Sequence, residues 1–62
     1  MKSGDIIKKL RAAGWAIVRT ESSHVTLAHP ANPLILTVKH PAKDVTIGLV
    51  KDLERKSGLK LR

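Results

Sequence analysis

Three histidines, His24, His29 and His40, are the residues of this 62-residue sequence best suited to proton chemistry near neutrality. Imidazole has an unperturbed pKa of about 6.5, so it takes up and returns protons under ordinary conditions. His24 stands in T-E-S-S-H-V-T-L-A, residues 20 to 28, after a hydroxyl-rich bend and before the alternating Val25-Thr26-Leu27. His29 and His40 each precede a proline, which suits the end of a strand. The odd spacing of His24 and His29 sends their rings to opposite faces of a strand. No cysteine is present, and Asp5, Glu21, Asp44, Asp52 and Glu54 form no acidic cluster. Zinc, which needs three or four convergent ligands, and two-metal nuclease chemistry are therefore not expected, and no cofactor is.

Charge selects the kind of partner. Twelve Lys and Arg stand against five Asp and Glu, a formal net charge of +7. On so short a chain that excess favours a polyanion. Apolar stretches reach four residues at most, far short of the roughly 20 that span a bilayer, so no membrane contact is expected. The first residues run directly into an amphipathic pattern, and a cytoplasmic protein is the expectation. The whole of 1–62 reads as one domain, close to the lower size limit for unaided folding.

The elements that must position these side chains follow from periodicity. Residues 3 to 13 read as a helix with Ser3 as N-cap, Asp5 in the first turn and an apolar stripe of Ile6, Ile7, Leu10 and Ala13. Gly14 is expected to end it in a left-handed conformation, with Trp15 packing back into the core. Strands are expected over 15–20, 24–29 and 34–39, separated by the Glu21-Ser22-Ser23 bend and the Pro30-Ala31-Asn32-Pro33 turn. A loop over 40–44 leads to a second helix, from about Thr46 to Ser57, with Ile47, Val50 and Leu53 (and Leu49 beside them) on its apolar side. Gly58 is its stop signal. The fold class is α+β, in the order α-β-β-β-α, with a three-stranded antiparallel sheet and both helices on one face. Strand parity then turns Val25, Leu27, Leu34, Leu36 and Val38 inward. It leaves His24, Thr26, Ile35, Thr37 and Lys39 on the open face.

The opening K-S-x-x-I-I-K-x-L, the G-W after it, S-H-V at residues 23 to 25 and the run H-P-A-K-D-V-T-I-G from His40 resemble the HicA toxins. The resemblance extends from Met1 to about Leu59. It implies a double-stranded-RNA-binding-like fold, a small ribonuclease acting on mRNA, and neutralisation by a HicB-like antitoxin. His24 matches the family's catalytic histidine. Ser22 departs from it, since glycine usually stands before the serine-histidine pair. A glycine used there for positive φ would make serine costly by about 1 kcal/mol.

The residues are compatible with that implication. RNA carries its own nucleophile in the ribose 2′-hydroxyl, and cleavage needs a base, a proton for the leaving 5′-oxygen and positive charge at the phosphorane. His24 is the candidate base. Ser22, Ser23, Lys39, His40 and Lys43 are the candidate RNA contacts. Lys39, Lys43 and the start of the second helix suit phosphate, Ser23 could orient the ring or a phosphate oxygen, and His40 is a candidate acid. Two other readings survive at this level: a non-catalytic RNA-binding module of the same fold, and a basic protein whose face binds an acidic partner.

Overall fold

A computed structural model describes all 62 residues. The chain runs α1 (Ser3–Ala12), β1 (Ala16–Glu21), β2 (His24–His29), β3 (Asn32–Lys39) and α2 (Ile47–Ser57). The strands form one antiparallel sheet in the order β1-β2-β3, and both helices pack on the same face of it. This is the architecture expected from the sequence.

Twelve apolar side chains form the core. Ile6, Ile7 and Leu10 come from α1, and Val50 and Leu53 from α2. Val25 and Leu27 enter from β2, and Leu36 and Val38 from β3. Trp15 is 3% exposed and closes the core beneath the end of α1. Gly14, at φ 99°, makes the reversal that aims it there. His29 completes this corner: Ala31 N–H donates to its Nδ1 (2.9 Å), so the hydrogen is on Nε2 and donates to Ala13 O (3.1 Å). A Cβ on residue 14 would meet that imidazole at 2.8 Å, a second reason for glycine. His29 is thus a structural staple between α1 and the β2–β3 turn.

Several local expectations are corrected. Ser3 is not the N-cap of α1. Lys2 holds that place without a side-chain bond, and Ser3 is the first helical residue, almost wholly buried. Ala13 is exposed rather than part of the stripe. The third strand starts at Asn32 and includes Pro33, which β3 tolerates because it is an edge strand. Leu34 is 46% exposed and not inward. The β2–β3 register shifts between Leu27 and His29, and this irregularity breaks the two-residue alternation beyond Leu36. On α2, Thr46 is the N-cap, accepting from Leu49 N–H at 3.4 Å, while Ile47 and Leu49 are exposed.

Both chain ends are tied down. Ser3 N–H donates to Ala42 O (2.9 Å) and Val45 N–H to Met1 O (2.8 Å), which seats Val45 in the core. At the other end Glu54 accepts from Leu61 N–H (2.8 Å), and Lys9 Nζ donates to Leu61 O (2.9 Å). Leu61 is fully buried as a result. Neither Val45 nor Leu61 follows a helical or strand period, so periodicity could not announce them.

Candidate nucleic-acid interface

His24 opens β2 immediately after a two-residue hairpin, Ser22-Ser23, that joins it to Glu21. Only the first of those two residues has positive φ, Ser22 at 54°. That pattern belongs to a turn with a left-handed first position, where glycine is favoured. Serine therefore occupies the strained position of the loop that carries His24.

Register fixes what surrounds the imidazole. His24 pairs with Glu21 on one side and with Lys39 on the other. Directly opposed residues of antiparallel strands share a face, with Cβ atoms about 4.5–5.5 Å apart. Because the next pair, Val25 and Val38, is buried beneath the helices, His24, Glu21 and Lys39 belong to the open face, and all three are exposed. The row reads carboxylate, imidazole, ammonium across three strands. Arg19 forms an ion pair with Glu21 on the same face, opposite Thr26. Lys39 has no ion-pair partner and is available to an anion.

The other expected contacts lie elsewhere. His40 N–H donates to Ser23 O (2.6 Å), so its backbone braces the hairpin. Its ring turns to the helix side, where Nδ1 lies 2.8 Å from Ser3 Oγ. That oxygen already accepts Ala42 N–H at 2.8 Å, and the buried hydroxyl hydrogen has His40 Nδ1 as its only acceptor. His40 is therefore the Nε2–H tautomer. The structure does not bring His40 to His24. Lys43, in the loop before α2, borders a groove with His40, Ala42 and the start of α1. Of the six expected site residues, His24, Ser22, Ser23 and Lys39 form one neighbourhood, and His40 and Lys43 form another. Glu21 and Arg19 were not among the sequence candidates. A two-residue hairpin necessarily sets residue 21 opposite 24, so Glu21 could have been found from the turn length alone.

No three His, Cys, Asp or Glu side chains converge as a metal-ligand cluster. No helix is long and apolar enough to cross a membrane.

Comparison with known proteins finds similarity in both sequence and structure. A family model described as HicA toxin of bacterial toxin-antitoxin matches residues 3–59. A solved structure described as a HicA3 and HicB3 toxin-antitoxin complex contains a chain 41% identical to this one, with full coverage of both chains and a TM-score of 0.89. A search of curated proteins returned no match.

Proposed function

The chain belongs to the family of HicA toxins of bacterial toxin–antitoxin systems, and from that premise we propose that it is an endoribonuclease that cleaves mRNA with His24 as its single catalytic histidine. The observation that carries the reading is the exposed imidazole between Glu21 and Lys39 on an open sheet face.

The chemistry runs as follows. Neutral His24 takes the proton of a ribose 2′-hydroxyl. The freed oxygen forms a bond to the adjacent phosphorus, and the bond from phosphorus to the 5′-oxygen breaks. Lys39 supports the charge that builds on the non-bridging oxygens. The leaving oxygen takes its proton from solvent, because both ring nitrogens of His29 are engaged and the His40 ring turns to the helix side, away from the open face. The products are a 2′,3′-cyclic phosphate and a 5′-hydroxyl. Ser22 and Ser23 offer hydroxyls to the RNA beside His24, and His40 and Lys43 contact it further along. The step needs no metal and no cofactor.

A cognate HicB-like antitoxin inhibits the protein by covering the open face. The matched complex supports such a partner, and Ile35, 53% exposed on that face, supplies apolar area for it. The protein acts where mRNA is translated, in the cytoplasm.

Purified protein incubated with RNA in EDTA tests the reading. Shortened RNA ending in a 2′,3′-cyclic phosphate is the expected result. A mobility shift without shortening would identify a non-catalytic RNA-binding module, and cleavage abolished by EDTA would assign the chemistry to a metal.

A further inference from the structure

On the helix side of the sheet, a cleft of about 640 Å³ lies between α1 and the β1–β2 end. Its apolar surface comes from Ile7, Ile17 and Val25, and its polar rim from Lys8, Arg11 and His40. Lys8 and Arg11 sit three residues apart, hence on one face of α1, and neither has an ion-pair partner. Ile17 is 41% exposed, an apolar side chain only half covered by the protein itself. The Ser3 hydroxyl holds the His40 ring with Nε2–H as its free donor. The His24 chemistry uses none of these groups.

The geometry points to a nucleotide-binding cleft. One nucleotide of an RNA strand lays its base on Ile7, Ile17 and Val25, its phosphate sits between Lys8 and Arg11, and His40 Nε2–H donates to a phosphate oxygen. The volume lies within the roughly 300–1,000 Å³ of small-molecule sites. The flanking stretch of α1, residues 4 to 12, is about 12 Å long at 1.5 Å per residue. That length suits one nucleotide. The inference rests on the RNA-cleaving reading and extends it. Because His40 N–H is bonded to Ser23 O, the hairpin that presents His24 on the open face is braced directly by the residue that rims the cleft. A strand bent around this end of the sheet would be gripped on one side and cut on the other.

The test is a heteronuclear NMR titration of full-length His24→Ala protein with adenosine 3′-monophosphate, uridine 3′-monophosphate, inorganic phosphate and a Glu-rich peptide. Either nucleotide should shift the amides of Ile7, Lys8, Arg11 and Ile17 and the ring protons of His40, and phosphate alone should shift only Lys8, Arg11 and the His40 ring, leaving Ile17 unmoved. Arg11→Ala should weaken nucleotide binding at least about tenfold, the scale of one charge-assisted contact. Ala12→Leu, at the exposed wall of the cleft, fills it without changing the net charge and should weaken binding as much. Nucleotide shifts confined to the open face, or undiminished affinity in a folded Ala12→Leu protein, would overturn the proposal. So would a response to the peptide and to neither nucleotide, which would assign the cleft to a protein partner. Nucleotide binding at the cleft by a wild-type protein that leaves RNA intact would retain this site and remove only the ribonuclease reading.

Discussion

Replacing Ser22 by glycine should stabilise the protein, and the size of the effect can be worked from the backbone. Ser22 has φ 54°, in the left-handed region, as the first residue of the two-residue hairpin. An L-residue with a Cβ pays about 1–2 kcal/mol there, which glycine avoids. Glycine in turn loses more chain entropy on folding, about 0.5–1 kcal/mol. The Ser22 side chain makes no hydrogen bond that would be lost. The net gain is about 0.5–1 kcal/mol, and at about 4–8 °C per kcal/mol in a domain of this size Tm should rise by about 2–8 °C. Ser22→Ala should be nearly neutral, because it keeps the Cβ and its cost. Ser22→Val should be worse than either, since branched side chains are poorly tolerated at positive φ. Thermal unfolding of the four proteins followed by circular dichroism is the assay. A glycine variant that melts below the wild type, or a valine variant that melts with it, would refute the strain argument. Ribonuclease activity of the glycine variant should equal or exceed that of the wild type, because the same turn holds His24 in register and Ser23 keeps its hydroxyl beside the RNA.

Three further outcomes are expected. Trp15→Ala should cost about 3–5 kcal/mol, comparable with the whole stability of a chain this short, and its far-ultraviolet spectrum at 37 °C should be that of an unfolded protein. RNA affinity should fall with salt at a log–log slope of about −0.7 per phosphate contacted, and Lys39→Ala should remove roughly one such contact from the slope measured by fluorescence anisotropy. Glu54 is held below its ordinary pKa by the Leu61 N–H bond and then by Arg62, and Asp52 likewise by Arg55 and then Lys56. Both are depressed in the folded state, so their stabilisation is fully present above the ordinary carboxylate range and is lost as pH falls from that range through the depressed folded values. Denaturant midpoints should therefore decline from pH 6 to pH 3, and Glu54→Gln should flatten part of that decline.

The sequence carried the element order because each helix has its own stop signal and each strand a run of branched residues. Gly14 and Gly58 both take positive φ, 99° and 73°, at the positions their context demanded. The resemblance identified Ser22 as standing in a glycine's place, and the backbone there does adopt the conformation that glycine favours. What could not be read depended on contacts between distant residues. Ser3 looked like a cap, yet the loop from His40 to Ala42 recruits its hydroxyl, a partnership spanning 37 residues. Parity assigned Leu34 to the core, but a shift of strand register intervened. His40 and Lys43 fell in with His24 by sequence motif, whereas the loop that holds them packs against the start of α1. Glu21 joins His24 through the turn length alone, since a two-residue hairpin sets residue 21 opposite residue 24.

If His24 performs the proton transfer, RNA cleavage by wild type and His24→Ala in EDTA, with end-group analysis of the products, will show it. An exposed side chain contributes little packing energy, so the variant should melt within about 0.5 kcal/mol of the wild type and should still bind RNA through its remaining cations. Its cleavage rate should drop by about 10²–10⁴-fold, the share that positioned acid–base catalysis supplies, while wild-type products end in a 2′,3′-cyclic phosphate and begin with a 5′-hydroxyl. Undiminished cleavage by a folded His24→Ala protein would contradict the account.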